Sequence, residues 1–331
     1  MPRATFKIVA PDYNFASSRN EEREFATIDA EFIIGQCQTE EDIIELARDA
    51  DAIVADHLKI TRRAIESLEN CKVIARGSMG VDTIVDIPAA TEHGICVVNV
   101  PDYCVEEVST HAMALLLACV RKITLLHDNV MNGKWDYQAA RPIHRVAGQT
   151  LGIVGYGQIA RALVPKAKGF ALNILAHNRH PDRGVLSADQ VKPVTFDQLL
   201  AESDFVSIHV PLSDATRHMF GEDQFKLMKQ TAYLINTSRG MIVDTSALYT
   251  ALTKGEIAGA ALDTTPVEPI DKDDPLLGLD NVIITPHSAW YSQEAVDQVQ
   301  TSYAQDVVRV LTGRAPLALV NPEVRKKVSL A

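Results

Sequence analysis

Three residues in the second half of the chain have the side-chain types that acid-base chemistry on a carbonyl group needs. Arg239 follows the strand-like run Tyr233 to Thr237, Glu268 lies beyond Leu262-Asp263, and His287 follows Ile283-Ile284-Thr285-Pro286. Open α/β sheets place ligands at the carboxyl ends of their strands, so three residues at or just after such ends predict one shared crevice. Histidine titrates near neutral pH. It can therefore give a proton to the alkoxide left when a hydride adds to a keto carbon, and take it back in the reverse direction. A carboxylate bonded to the other ring nitrogen would hold the ring's orientation and favour its protonated form. An arginine can hold a substrate carboxylate with its planar fork. Taken singly, each also has a purely structural reading: a surface ion pair for Arg239, a solvated loop for Glu268 and a satisfied core imidazole for His287.

A hydride needs a carrier, and the chain contains a turn suited to one. The buried-strand run Leu151-Gly152-Ile153-Val154 ends in Gly155-Tyr156-Gly157-Gln158-Ile159-Ala160, a GxGxxA pattern, and Arg161 to Lys168 has helical character despite Pro165. The first glycine makes the tight turn, and the second lets backbone N–H groups approach a pyrophosphate at a helix N-terminus. Gly155, Gly157, Gln158 and Ile159 are thus the expected phosphate-side contacts of a nicotinamide dinucleotide. The next strand, Ile174 to His177, should end in an acidic residue for the ribose hydroxyls of NAD. It ends instead in Asn178-Arg179-His180. A guanidinium attracts a 2′-phosphate that a carboxylate would repel, so NADP is expected; NAD with Arg179 stacked on adenine is the alternative.

These residues need a scaffold of alternating strands and helices. Strand-like runs at Phe6 to Ala10, Ala52 to Ala55, Lys72 to Ala75 and Ile95 to Val100 are joined by amphipathic segments such as Glu40 to Asp49. One continuous helix is expected from about Val105 to Asn132, stopped at Gly133. The pattern then restarts at Thr150, with strands at Ile174 to Ala176, Phe205 to Ile208, Tyr233 to Ile235, Gly259 to Leu262 and Val282 to Ile284. The fold class expected is α/β, with a Rossmann dinucleotide-binding domain (103–296) inserted in a flavodoxin-like substrate domain (1–102 plus 297–331). The last amphipathic segment, Gln293 to Leu311, would cross back to the first domain.

Composition narrows the partners. The chain has 331 residues and a formal net charge of −11, which repels polyphosphates and disfavours nucleic acid. The longest apolar run, Met113 to Val120, falls far short of the roughly 20 residues of a membrane span. With no leader-like start, a cytoplasmic protein is expected. The five cysteines, Cys37, Cys71, Cys96, Cys104 and Cys119, form no CxxC pair, so buried thiols rather than disulfides or a metal site are expected.

Taken together, the local sequences resemble those of the D-2-hydroxyacid dehydrogenases. Asn236-Thr237-Ser238-Arg239-Gly240 is similar to that family's N-T-[AS]-R-G motif. Asp263 through Glu268-Pro269 is similar to its D-V-x-x-x-E-P, and Thr285-Pro286-His287 to its T-P-H. Arg76 to Asp82 and Val100-Pro101 extend the resemblance into the first domain. It implies that Arg239 anchors the substrate carboxylate, that Glu268 and His287 form the acid-base pair, and that Asp263 contacts the nicotinamide carboxamide. Thr237, His209-Val210-Pro211 and Thr216 would line the cofactor. Backbone amides around Ser78, Met79 and Gly80 would hold the substrate carboxylate from the other domain, with domain closure excluding water.

The run Pro286 to Ser292 is similar to one branch of the family, the C-terminal binding proteins, where the residue matching Trp290 borders the substrate pocket. Arg76 also matches an arginine of that branch. Two departures matter: Ser78 and Met79 stand where the family's substrate loop is richer in glycine, and Asn178-Arg179-His180-Pro181 resembles the run in NADP-using glyoxylate and hydroxypyruvate reductases. The function expected is reversible reduction of a 2-keto acid, with a dinucleotide-sensing interaction module as the alternative. The resemblance also implies a homodimer through Val105 to Asn132 and Trp135 to Arg145.

Overall fold

The structure, a computed structural model, describes residues 5–81, 84–179 and 183–331. Asp82, His180 and Pro181, which belong to motifs read from the sequence, lie outside the described residues. Chain contacts group the protein into two compact units, Met1–Tyr103 with Ser292–Ala331, and Cys104–Tyr291.

In the first unit, five short strands pair in parallel: β1 (Phe6–Ala10), β2 (Ala30–Ile34), β3 (Ala52–Ala55), β4 (Val73–Arg76) and β5 (Cys96–Val98). Their order, β2-β1-β3-β4-β5, is the flavodoxin-like arrangement. All four residues of β3 are buried, as apolar runs covered by helices on both faces must be. Strand β2 was not foreseen from the sequence. It is an edge strand paired only with β1, and Ile34 is exposed at its end, so its apolar run is short and mixed with polar residues. Thr39 and Asp42 cap the helix Glu40–Ala47 reciprocally. The final helix, Gln293–Leu311, packs in this unit against β4 and the helix Arg19–Phe25. There the Tyr303 hydroxyl donates to the fully buried Glu21 carboxylate, and Gln300 Nε2 donates to the Ser17 carbonyl at 2.6 Å.

The second unit carries seven parallel strands: β6 (Thr150–Val154), β7 (Asn173–His177), β8 (Lys192–Pro193), β9 (Phe205–Ile208), β10 (Tyr233–Asn236), β11 (Gly259–Leu262) and β12 (Val282–Ile284). The order β12-β11-β10-β9-β6-β7-β8 is a Rossmann arrangement extended by one strand, and its direction of winding reverses between β6 and β9. That reversal leaves a crevice at the carboxyl ends of the two strands.

The helix Val105–Arg121 buries Met113, Leu115, Leu116, Cys119 and Val120 against the helix Gln158–Gly169 and the sheet. Contrary to the sequence expectation, it does not run on to Asn132. Lys122 takes a left-handed conformation (φ 50°), and a second helix, Ile123–Met131, leaves at a bend of 61°. The apolar pattern persists through the bend, so composition alone reads as one helix. None of its residues is buried, however, which is why tertiary packing no longer dictates its direction. Among the described residues no single helix is long and apolar enough to cross a membrane. All five cysteines are free thiols; four are buried and Cys71 is partly so.

Candidate active site

The glycine turn sits at the switch point. Gly155 follows β6 with φ +89°, and a side chain there would place its Cβ 2.6 Å from the His209 carbonyl oxygen, so no other residue fits. The close approach is fixed by Gly155 N–H donating to the His177 carbonyl (2.8 Å) and His209 N–H donating to that of Val154 (2.7 Å). Gly157 faces open space instead, with nothing within 4 Å of the position a Cβ would take, and it precedes a twelve-residue helix whose N-terminus has no side-chain cap. Uncapped N–H groups beside an unobstructed glycine form a place for pyrophosphate oxygens. Ala160, fully buried, seats that helix on the core. Gln158 is exposed and Ile159 half-buried at its first turn.

Other predicted cofactor contacts surround this turn. Asn178 is half-buried and Arg179 exposed just beyond β7. His209 follows β9; enclosure by the protein lowers its imidazole to about 4, so it is neutral at physiological pH, and its Nε2 lies 2.8 Å from Ser207 Oγ. Pro211 is exposed. Thr216 spends its hydroxyl on the fold, donating to the Pro211 carbonyl (2.6 Å) and accepting from Ser213 N–H (2.8 Å). Thr237, at the carboxyl end of β10, is buried with its Oγ1 unpartnered within the protein. A buried hydroxyl without a partner is costly unless a ligand completes it. With the cradle of Gly155 and the open face of Gly157, it shows that the residues fit a bound dinucleotide.

The residues expected to be catalytic lie at the ends of β10, β11 and β12. After β10, Asn236 is fully buried; its amide donates to the Arg239 carbonyl (3.0 Å) and its Oδ1 accepts from Ser238 N–H (3.0 Å). Ser238 Oγ reaches across to the Ile208 carbonyl at 2.8 Å. The loop is thereby rigid while the Arg239 side chain projects into solvent. Gly240 lets the segment after β11 pass: a Cβ there would lie 2.0 Å from the Thr265 carbonyl carbon. That close crossing brings the Glu268 loop beside the Arg239 loop.

Beyond β12, His287 has a left-handed backbone (φ 50°), fixed by its N–H donating to the Asp263 carbonyl at 2.8 Å. Such a conformation is strained by ~1–3 kcal/mol in most residues and persists where surrounding bonds over-determine it. Glu268 Oε2 lies 2.7 Å from His287 Nδ1, and Glu268 Oε1 accepts from Thr265 N–H at 3.1 Å. Partial burial alone would raise the Glu268 carboxyl. The His287 bond and charge, the Thr265 N–H and the nearby Arg239 outweigh it and lower it below the usual range. The stability contributed by this lowered carboxyl is present above the ordinary carboxyl pKa and is lost as pH falls through the lowered one. With Nδ1 engaged, Nε2 is the nitrogen left to exchange a proton.

Asp263, only 1% exposed, accepts from Ser288 N–H and Ala289 N–H at 2.9 Å each and from the Thr285 hydroxyl at 2.5 Å. Its carboxylate binds the loop that carries His287. Trp290, half-buried, stands edge-on to the exposed Tyr291 ring.

In the first unit, Arg76 is tied to Asp56 (2.8 Å) and the Ala55 carbonyl (3.3 Å), while its buried Nε has no protein partner. Ser78 and Met79 are anchored through their carbonyls by Val100 N–H (3.1 Å) and Asn99 Nδ2 (2.6 Å), and Gly80 follows half-buried. Asp12, Asp56 and His57 lie close enough to suggest a cation site, but Asp12 already accepts from His57 N–H (2.6 Å) and Leu58 N–H (3.0 Å). Their oxygens serve the loop. Two concavities of about 740 and 830 Å³ lie away from the catalytic residues, one at the amino ends of β6 and β7, the other along the helix Val105–Arg121.

A Rossmann unit with a dinucleotide turn, an imidazole-carboxylate pair and a nearby guanidinium defines a nicotinamide-dependent oxidoreductase. Residues 113–289 match the family described as D-isomer specific 2-hydroxyacid dehydrogenase, NAD binding domain. The chain is 42% identical over 289 residues to the glyoxylate reductase of Korarchaeum cryptofilum, covering 86% of each. To the D-3-phosphoglycerate dehydrogenase of Methanocaldococcus jannaschii it is 40% identical, covering 86% of this chain and 54% of that one. Among solved structures, an acyclic imino acid reductase in complex with NADPH and D-Arg matches with a TM-score of 0.83 at 28% identity, over 95% of this chain and 99% of that one. The chain belongs to the D-isomer specific 2-hydroxyacid dehydrogenase family and transfers a hydride between a nicotinamide dinucleotide and a 2-keto/2-hydroxy acid pair.

Gly240 reads in the sequence only as the end of a motif, although it governs the loop crossing. His111, one polar residue in an apolar helix, belongs to no motif.

Proposed function

We propose that the chain reduces a short 2-keto acid with NADPH, using His287 as proton donor, Glu268 as its orienting partner and Arg239 as carboxylate anchor. The observation that carries this reading is the 2.7 Å bond between Glu268 and His287 Nδ1, which leaves Nε2 for the substrate oxygen. Bound at the glycine turn, the dinucleotide supplies or receives the hydride at C2. Arg239 takes the C1 carboxylate and so sets which face of C2 is presented. As negative charge develops on the keto oxygen, His287 gives its proton there, and the Glu268 carboxylate balances the imidazolium before transfer. Oxidation of the hydroxy acid runs the same proton path backwards. The likeness to a glyoxylate reductase supports a small substrate, and a panel of 2-keto acids varied in tail length tests it: highest kcat/KM for the longest tails would overturn the small-substrate reading.

The preference for NADPH rests on Arg179, which stands where a carboxylate would otherwise meet the ribose. Arg179→Ala is expected to lower kcat/KM with NADPH by about tenfold, the worth of one charge-assisted pair, and to leave NADH nearly unchanged. Steady-state kinetics with both cofactors check this, and a wild-type preference for NADH refutes it.

The homodimer is proposed on the surface around the second helix. Trp135 is 91% exposed, Met131 72% and Tyr137 70%, with Ile123 and Val130 also exposed, an apolar concentration that monomers rarely carry. A tryptophan at the centre of such a patch is the usual energetic anchor of an interface. Trp135→Asp is expected to shift the protein from dimer to monomer in sedimentation velocity at micromolar concentration; an unchanged sedimentation coefficient would argue against this face.

A further inference from the structure

We propose that His111 is a positioning residue for the acid-base centre, holding the His287 loop through a directed chain of hydrogen bonds; this rests on the reading of His287 given above. His111 lies on the helix Val105–Arg121, which packs under β10, β11 and β12, and its side chain is three-quarters buried, at 25% exposure. Its Nε2 is 3.1 Å from Thr285 Oγ1 and 3.5 Å from Asp263 Oδ1.

The donors can be assigned. Asp263 accepts one backbone N–H on each oxygen, from Ser288 and from Ala289, and on Oδ1 also the Thr285 hydroxyl. The hydroxyl proton of Thr285 is therefore spent on Asp263, so its oxygen can only accept from His111. That fixes His111 with a proton on Nε2. His111 Nε2–H donates to Thr285 Oγ1 and Thr285 O–H donates to Asp263, which also accepts the Ser288 and Ala289 N–H groups on the far side of His287. Thr285 and Ser288 flank Pro286 and His287, so both ends of the turn are bound to one buried carboxylate, and His111 adds a second hold from outside the loop, on Thr285.

The alternative, a histidine that only fills space, predicts different behaviour. His111→Leu keeps the volume and removes the donor, leaving Thr285 Oγ1 short of a partner. His111→Gln restores an N–H at nearly the same reach as the imidazole Nε2. The leucine variant is expected to lower kcat by about tenfold with the KM for the keto acid within about twofold, because Arg239 is held by the separate Asn236–Ser238 network. The glutamine variant is expected to recover kcat to within about threefold of wild type. Equal impairment of both variants, or full kcat in the leucine variant, would overturn the proposal.

Should the leucine variant fail to fold, long-range ¹H–¹⁵N spectra of the wild-type protein decide the point. The His111 ring is expected as the Nε2–H tautomer near neutral pH; an Nδ1–H tautomer refutes the relay. Including His287→Ala in the same assay separates the two ideas. If that variant retains full turnover, the functional reading fails; if it is inactive while His111→Leu is not, only the positioning role fails.

Discussion

His287→Ala is expected to reduce kcat for 2-keto acid reduction by ~10²–10⁴, the range that a positioned general acid supplies. Dinucleotide affinity should stay within about twofold. The imidazole lies after β12, whereas the residues that fit the dinucleotide phosphates, Gly155 and Gly157, are on the turn after β6. Fluorescence titration of NADPH beside stopped-flow turnover would check both parts. The same experiment addresses whether this scaffold works as a sensor of dinucleotide. A sensor would bind NADPH and show no turnover for the variant to lose. Glu268→Gln offers a companion reading: an amide has one oxygen where the carboxylate has two, so it cannot accept from both Thr265 N–H and His287 Nδ1, and kcat should fall. Full kcat in this variant would contradict an orienting role for Glu268.

The second large effect is at Arg239. Arg239→Ala is expected to lower kcat/KM by ~10²–10³, chiefly through a rise in KM, because two charge-assisted bonds to a carboxylate are worth ~1.5–3 kcal/mol each before discounting for exposure. Arg239→Lys should recover little, since an ammonium cannot offer the planar pair of N–H groups. Restoration of near wild-type KM by lysine would mean that Arg239 acts only as a point charge. Folding should be unaffected, because the bonds that shape this loop come from Asn236, Ser238 and the backbone, and the exposed guanidinium donates to the neighbouring Ser238 carbonyl at 2.8 Å.

Much of the scaffold was legible because buried parallel strands leave a strong trace. Ala52–Ala55 and Gly259–Leu262 are continuous apolar runs, Phe205–Ile208 is interrupted only by Ser207, and they are the strands found. Two edge strands rich in exposed or polar positions left none. The edge strands Ala30–Ile34 and Lys192–Pro193 each pair on one side only, so solvent-facing residues break up their pattern. The bend at Lys122 was hidden for the opposite reason: apolar residues continue past it, yet they face outward.

Residue types and their spacing set the chemistry available: a glycine turn after a buried strand, a missing acid at Asn178-Arg179, and an arginine, a glutamate and a histidine after successive strands. Those are local facts, carried by residue type and by spacing along one element. Which atoms meet is a matter of strand order and packing. The 2.7 Å bond from Glu268 to His287, the passage of residue 265 over Gly240, and the relay from His111 through Thr285 to Asp263 each join segments separated by many residues. Their geometry is set by strand order and packing, because a parallel sheet brings distant strand ends side by side at one edge. No short stretch of chain records that neighbourhood, and the proton chemistry proposed for His287 depends on it.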